Sequence, residues 1–240
     1  NIRGSSLRSP FVVTNVKTYY NDIPYTDPGG NTYLNQLSFY NIQSAEVIKG
    51  PGSSLYGAGT GGVLLLKTSQ ANWQPGLSFD FSAGHWALNN VNTNLRLGTD
   101  AVQNTLNYSQ LSSDGYRDHS KLDRKVFTWD LNANLSDKGR LTTHFLWGDL
   151  FYQTPGALTL SEYNTNPRAA RPRVGTTPGA SENKAAIYQK IFLAGITFNQ
   201  KFSEHWQNTT SFYGASTRLL NPTTRNYGRT NEPHTGGRSF

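Results

Sequence analysis

The sequence predicts a mainly β fold in two parts: a small mixed α/β sheet, then an incomplete antiparallel transmembrane β-barrel of about seven strands. Three observations carry this expectation. Residues 42–68 read as strand, glycine turn, strand. Beyond Gly76 apolar and polar residues alternate with a period of two, as in Phe127, Trp129, Leu131, Ala133 and Leu135 against Thr128, Asp130, Asn132 and Asn134. The connections between these strands are in turn short and long, which gives each strand a direction across a membrane.

Composition is compatible with this class and removes others. There is no Cys, hence no disulfide framework and no thiolate nucleophile or metal ligand. Mean hydropathy is −0.58 and no apolar run approaches the ~20 residues of a membrane helix. A membrane barrel keeps such a low mean, because alternate residues alone face lipid. The 13 Tyr and 12 Phe suit strands and interfacial girdles. The net charge of +7 is spread among loops, which favours solubility and anionic neighbours over a nucleic-acid platform. The chain lacks Met and opens at Asn1 on a β-type segment, so an internal fragment is expected.

In order, residues 11–19 and 20–23 are β-prone, 25–31 (YTDPGGN) form a loop, and 33–39 have room for two helical turns. Ala45 to Lys49 end at Gly50, Pro51 and Gly52, and a strand resumes at Val63. Gly57, Gly59 and Gly62 satisfy a dinucleotide fingerprint, but Val63, Leu64, Leu65 and Leu66 stand where its helix must start, so that reading is rejected. The spacing of Gly52 and Gly57 fits a phosphate loop, yet Ala58 and Gly59 occupy the positions of its Lys and Ser/Thr. The polar segment 70–76 sets a boundary, giving units 1–73 and 74–240. Seven strands are expected at 77–87, 91–98, 102–112, 124–135, 140–153, 187–202 and 206–219. Short turns fall at 88–90, 99–101, 136–139 and 203–205, and long connections at 113–123, 154–186 and from 220 onward.

The series Ile42, Glu46, Val47, Lys49, Gly50, Pro51, Ser53, Leu55, Tyr56, Gly57, Gly61, Gly62, Val63, Lys67, Thr68 resembles, without gaps, the plug domain of TonB-dependent outer-membrane receptors. Ile2, Arg3, Gly4 and residues 16–24 extend the resemblance upstream. In the loop 154–186, TPGALTLSEYNTNPRAARP is similar to the third external loop of siderophore and ferric dicitrate type receptors, and Ser113 to His119 adds a further match. Two departures stand out: Ser44 replaces an Arg of the family's strand, and Asp22, Ile23, Pro24 follow its D-G-x-P with the Gly missing.

The resemblance implies a receptor in the outer membrane of a Gram-negative bacterium that takes up a metal chelate, a ferric siderophore or ferric citrate. Its implied partners are lipopolysaccharide and a TonB-type energy-coupling protein acting through a box outside residues 1–240. A barrel of about 22 strands is wide enough to require a plug. A passive porin or an adhesive barrel stays open as the alternative, with a separate plug unit as the discriminator. The resemblance further implies ligand contacts on the plug loops at Arg8, Tyr25, Asp27, Asn31 and Tyr33, external-loop contacts at Arg168, Arg171 and Arg173, and plug-to-barrel pairing through Glu46. No catalytic or cofactor site is expected. The five histidines are scattered without ligand spacing and are expected as lone surface residues. Finally, Phe127, Trp129, Leu131, Phe192, Ile196 and Phe198 are expected to face outward, with Thr128, Asp130, Asn132, Asn134, Thr197 and Asn199 toward residues 1–73.

Overall fold

A computed structural model describes residues 15–50, 52–57, 61–68, 72–224 and 233–239. They form two sheets. In the first, β1 (Val16–Tyr20), β2 (Ile23–Pro24), β3 (Ser44–Lys49) and β4 (Gly62–Lys67) lie in the order β2-β1-β4-β3. β1 runs parallel to β4, while β2 and β3 are antiparallel to their neighbours. The two β-prone runs around the glycines are therefore paired as expected. A single helical turn, α1 (Ser53–Tyr56), sits between them.

Two details of this unit differ from the sequence reading. Residues 33–39 do not make α-helical turns; 3-10 turns occupy Leu34–Gln36 and Phe39–Asn41 instead. Nor is a turn residue missing near Asp22. Tyr20 pairs with Ile23 across a two-residue turn in which Asn21 and Asp22 both have positive φ, 50° and 70°. Asp22 thus occupies the place where glycine would be least strained, and Lys67 pairs with its carboxylate.

The second sheet is a meander of eight antiparallel strands: β5 (Gly76–Gly84), β6 (Leu88–Gly98), β7 (Val102–Ser113), β8 (Leu122–Ser136), β9 (Gly139–Gln153), β10 (Ala186–Lys201), β11 (Gln207–Thr224) and β12 (Pro233–Ser239). β5 and β12 are its two edges, so the sheet is open. The seven expected strands are all present as β5 to β11, and residues 233–239, read as loop, add an eighth by pairing with β11. The first hairpin turns at 85–87 rather than 88–90, with Trp86 and Ala87 at positive φ. Apart from β12 and β5, these strands have 11 to 18 residues. The ~9–11 needed to cross hydrocarbon at a tilt are reached in each of these. No helix among the described residues is long and apolar enough to cross a membrane.

Register sorts the side chains into two faces. One row runs Phe79, Thr93, Tyr108, Phe127, Trp147, Phe192, and the next Leu77, Leu95, Leu106, Trp129, Phe145, Ala194. Phe127, Phe145 and Phe192 meet edge to face, 5.9 and 5.2 Å apart. Phe192 and Ile196 are 41% and 48% exposed, pointing away from the first sheet. The opposite face carries Thr128, Asp130 and Thr197, all buried. The alternation thus has its apolar side outward, the order that a hydrocarbon surround requires.

The inner face is not uniformly polar, however. Leu146, Ile191 and Leu193 join Tyr20, Ile23, Tyr25, Leu37 and Leu66 of the first unit in one buried cluster. Beside them, Gly148 and Gly195 leave room where the two units touch. A Cβ on Gly195 would lie 2.3 Å from Ile23 Cδ1, and one on Gly148 would lie 2.7 Å from Gln36 Oε1. These glycines are required by space and not by backbone conformation. Gly195→Leu is expected to overpack this contact at a cost of about 1–3 kcal/mol. Amide exchange of residues 16–25 in the detergent-solubilised protein should then accelerate roughly tenfold or more, while the β9–β10–β11 ladder keeps its protection. Unchanged exchange in β1 and β2 would contradict the contact.

Candidate functional site

The contact between the two units is organised by three amide side chains of the first. Asn21 is fixed by the hairpin turn and by Thr68, whose N–H donates to Asn21 Oδ1 at 2.9 Å. Its Nδ2 then lies 2.7 Å from Thr68 Oγ1, 3.2 Å from Asp130 Oδ1 and 3.0 Å from His144 Nδ1. Asn41, on the second 3-10 turn, donates to Thr128 Oγ1 at 2.7 Å and to Asp130 Oδ2 at 3.0 Å. Gln36, on the first, donates to the Gln189 carbonyl at 2.9 Å.

Asp130 therefore collects Asn21, Asn41 and His144 on its two oxygens while only 2% exposed. The His144–Asp130 contact is 2.7 Å and both side chains are buried. For His144 this corrects the expectation of a lone surface histidine, while His85 and His205 are exposed as expected. A bulge between Asn134 and Ser136 sets the register that faces His144 with Asp130. Nothing in the spacing of the histidines alone signals it.

Tyr20 and Tyr25 lie fully inside the same contact. Burial, the leading cause, pushes both phenols well above their ordinary value of 10.0. The Asp130 carboxylate adds to the effect at Tyr20, and Tyr33 at Tyr25.

The loop 25–33 is internally bonded. Tyr25 donates its hydroxyl to the Tyr33 carbonyl at 2.9 Å, and Asp27 accepts from the Asn31 backbone and side-chain amide at 2.8 to 3.2 Å. Tyr25, Asn31 and Tyr33 are buried. Arg8 lies outside the described residues. Glu46 is exposed on β3, the edge strand of its sheet.

The loop between β9 and β10 carries a helix, α2 (Leu160–Thr165), opened by a reciprocal Thr159–Glu162 capping box. Its arginines bind the loops. Arg168 lies over the Tyr116 ring at 5.8 Å and donates to the Tyr116 carbonyl, and Arg171 donates to the Pro178 carbonyl at 3.1 Å. Arg173 pairs with Glu182 at 2.8 Å, and this hydrogen bond holds the Glu182 carboxyl below its ordinary range. Arg117, which the sequence reading did not single out, ties the preceding loop to this one through the Ala169 and Gly156 carbonyls.

The TonB-dependent receptor plug domain family matches residues 1–63. Strands β1, β2 and β3 fall within that match. The ferric citrate transporter FecA, in its unliganded form, superposes with a TM-score of 0.69 at 16% identity, covering 89% of this chain and 32% of FecA. FpvA of P. aeruginosa, bound to heterologous pyoverdines, gives 0.68 at 17% identity, over 94% of this chain and 31% of its own. The ferric yersiniabactin uptake receptor FyuA from Yersinia pestis gives 0.69 at 13%, over 87% and 33%. The chain thus spans about a third of the length of these three proteins. At such identities the likeness is one of fold, with the first sheet in the place of the plug and the second in that of the barrel wall.

Two outcomes test this contact. Asp130→Ala leaves three buried partners without their acceptor and is expected to destabilise plug docking by about 2–4 kcal/mol, read as faster proteolysis of the plug. Adding Asn41→Ala should cost less than the sum of the two single changes; full additivity would remove Asn41 from the network. Separately, the raised phenols of Tyr20 and Tyr25 favour the protonated form in the docked state. Their contribution is fully present below about pH 10 and declines as pH rises through their docked values. Alkaline undocking, followed by plug protease sensitivity, should begin above pH 10 and shift upward in Tyr25→Phe; no shift would place the titration elsewhere.

Proposed function

We propose that residues 1–73 are plug and residues 74–240 the first wall of an outer-membrane receptor in a Gram-negative bacterium. The receptor takes up a metal chelate, a ferric siderophore or ferric citrate, with energy delivered by a TonB-type protein. The observation that carries this reading is the docking of a separate sheet onto the inner face of a wall whose aromatic face points outward. A passive pore has no use for such a body in its lumen. A receptor needs one, because the lumen must stay shut until the right solute arrives.

The reading also gives the contact its physics. Much of the plug-to-wall contact consists of amide and carboxylate bonds, each of which water can replace when the plug shifts, at a net cost of about 0.5–1.5 kcal/mol per bond. On the wall side the apolar cluster is confined to β9 and β10. On this reading Arg8, Tyr25, Asp27, Asn31 and Tyr33 frame the ligand face of the plug. Arg168, Arg171 and Arg173 shape the external loop above it beside lipopolysaccharide phosphates, and Glu46 pairs with wall beyond residue 240.

The test is uptake of radioactive iron by the complete receptor in a strain stripped of its own receptors, with ferric citrate and a ferric hydroxamate as probes. Accumulation of one probe that stops when the proton-motive force is collapsed is the expected outcome. Leakage of unrelated small solutes independent of that force, with neither probe retained, would replace the receptor by a pore.

A further inference from the structure

The outward residues of β10 read Lys190, Phe192, Ala194, Ile196, Phe198, Gln200, an apolar run closed by a polar residue at each end. Lys190 and Gln200 lie about 33 Å apart along the strand, or about 25 Å along the membrane normal at a tilt of ~40°, the height of an apolar band. Lys190 therefore marks one edge of the hydrocarbon. The long connection between β9 and β10 enters beside it, which makes this edge the external one.

The register row through Lys190 is Lys125, Asp149, Lys190, Arg218 across β8 to β11. It is the next outward row beyond Phe127, Trp147 and Phe192. Lys190 and Arg218 are direct cross-strand partners, and like charges so placed repel unless an anion joins them. The neighbouring carboxylates do not settle the account: Asp149 pairs with Lys190 at 3.1 Å, and Asp123 lies 3.9 Å from Lys125. Arg218 is exposed and has no ion-pair partner among the described residues. One cation is left over. Tyr188, on the next outward rung, is 45% exposed, leans on the Phe151 ring at 4.9 Å and adds a phenol hydroxyl to this edge. The loop arginines differ, since Arg171 and Arg173 spend donors on their own loop.

We propose that the Lys190–Arg218 pair, with Tyr188 above and Phe192 below, is a seat on the outer wall for the phosphate of a lipid headgroup in the external leaflet. This rests on the outer-membrane reading of the chain. The guanidinium presents paired N–H groups to two phosphate oxygens, the ammonium shares its remaining hydrogens with a third, and the added charge relieves the repulsion between the two cations. The occupant is a lipid and not a soluble phosphate, because the seat lies on the face that hydrocarbon covers. Directly beneath it, Phe192 meets Phe145 edge to face at 5.2 Å and Ile196 is 48% exposed, a bed for acyl chains.

The test uses the complete receptor, purified in a non-ionic detergent and washed free of lipid. It would be titrated with phosphorylated lipid A, with the same lipid dephosphorylated, and with inorganic phosphate, the adducts being counted by native mass spectrometry. Phosphorylated lipid A should be held about tenfold or more tighter than its dephosphorylated form, the scale of hydrogen bonds to a charged group. Arg218→Gln and Lys190→Gln should each remove most of that preference, whereas Lys138→Gln, in the short turn at the opposite edge, should leave it within about twofold. An equal loss in all three variants would reduce the effect to general charge attraction and overturn the seat. So would inorganic phosphate competing on equal terms, or a receptor dimer that Arg218→Gln dissolves, which would give this face to a second copy. Should the Gln variants fail to assemble, the unaltered receptor must still lose the preference between about 0.1 M and about 1 M salt; a salt-independent preference also overturns the proposal. Iron uptake is read separately: a passive pore that keeps the lipid preference refutes the receptor reading alone, and uptake without the preference refutes this seat alone.

Discussion

A carboxylate buried between two bodies constrains both. Asp130 belongs to the wall, but two of its three side-chain partners, Asn21 and Asn41, belong to the plug, so its charge is accommodated when the two are together. Separation must bring water to Asp130 in the same step. The plug therefore cannot leave dry; it can only be exchanged for solvent, and the polar inner rows of the wall are where that solvent finds partners. Around this requirement the other features fall into place. The tight hairpin aims Asn21, the 3-10 turn aims Asn41, and Gly148 and Gly195 bring the surfaces close enough for the amides to reach.

The same logic explains why the apolar cluster is local. Leu146, Ile191 and Leu193 lie on neighbouring strands β9 and β10 and cover the core of the plug sheet. Nearer β5 the inner face turns to Asn92, Asn94, Asn107 and Ser109. One side of the plug is thus seated by the hydrophobic effect. The inner face nearer β5 offers amides and hydroxyls instead.

Much of this was legible in the residues. Two solvents of opposite preference act on the two faces of each strand, so the period of two in Phe127 to Leu135 reports directly on the wall, and the glycine series from Gly50 to Gly62 reports on the hairpin. Legibility ended where register or shape decides. Without the bulge beside Ser136 the β8–β9 turn would face Asp130 with Phe145, and the pairing with His144 would not arise. Leu146 and Leu150 sit among outward Phe145 and Trp147, so a strand apolar on both faces hid the docking patch. Trp86 and Ala87 carry the positive φ of the first hairpin without the usual glycine or asparagine, and β12 is rich in Gly and polar residues. Neither displays a pattern that the chain chemistry alone would single out. A cleft lined by Tyr19, Tyr25, Tyr56, Leu193 and Tyr213 is assembled from β1, the segment 24–28, α1, β10 and β11, and no sequence window contains it.

The parallel pairing of β1 with β4 has a mechanical consequence. Tension entering ahead of Val16 is resisted at the far end of β4, where Thr68 is held by Asn21 and the following segment is anchored to the wall through Trp73 and Thr105. Parallel strands pulled from opposite ends are loaded in shear, so the rungs from Val16–Gly62 to Tyr20–Leu66 share the force and yield together. The β1–β2 hairpin has two rungs to peel one after the other. The turn that holds Asn21 lies behind the β1–β4 rungs, so that pairing shields the latch on Asp130 from tension until the rungs themselves give way.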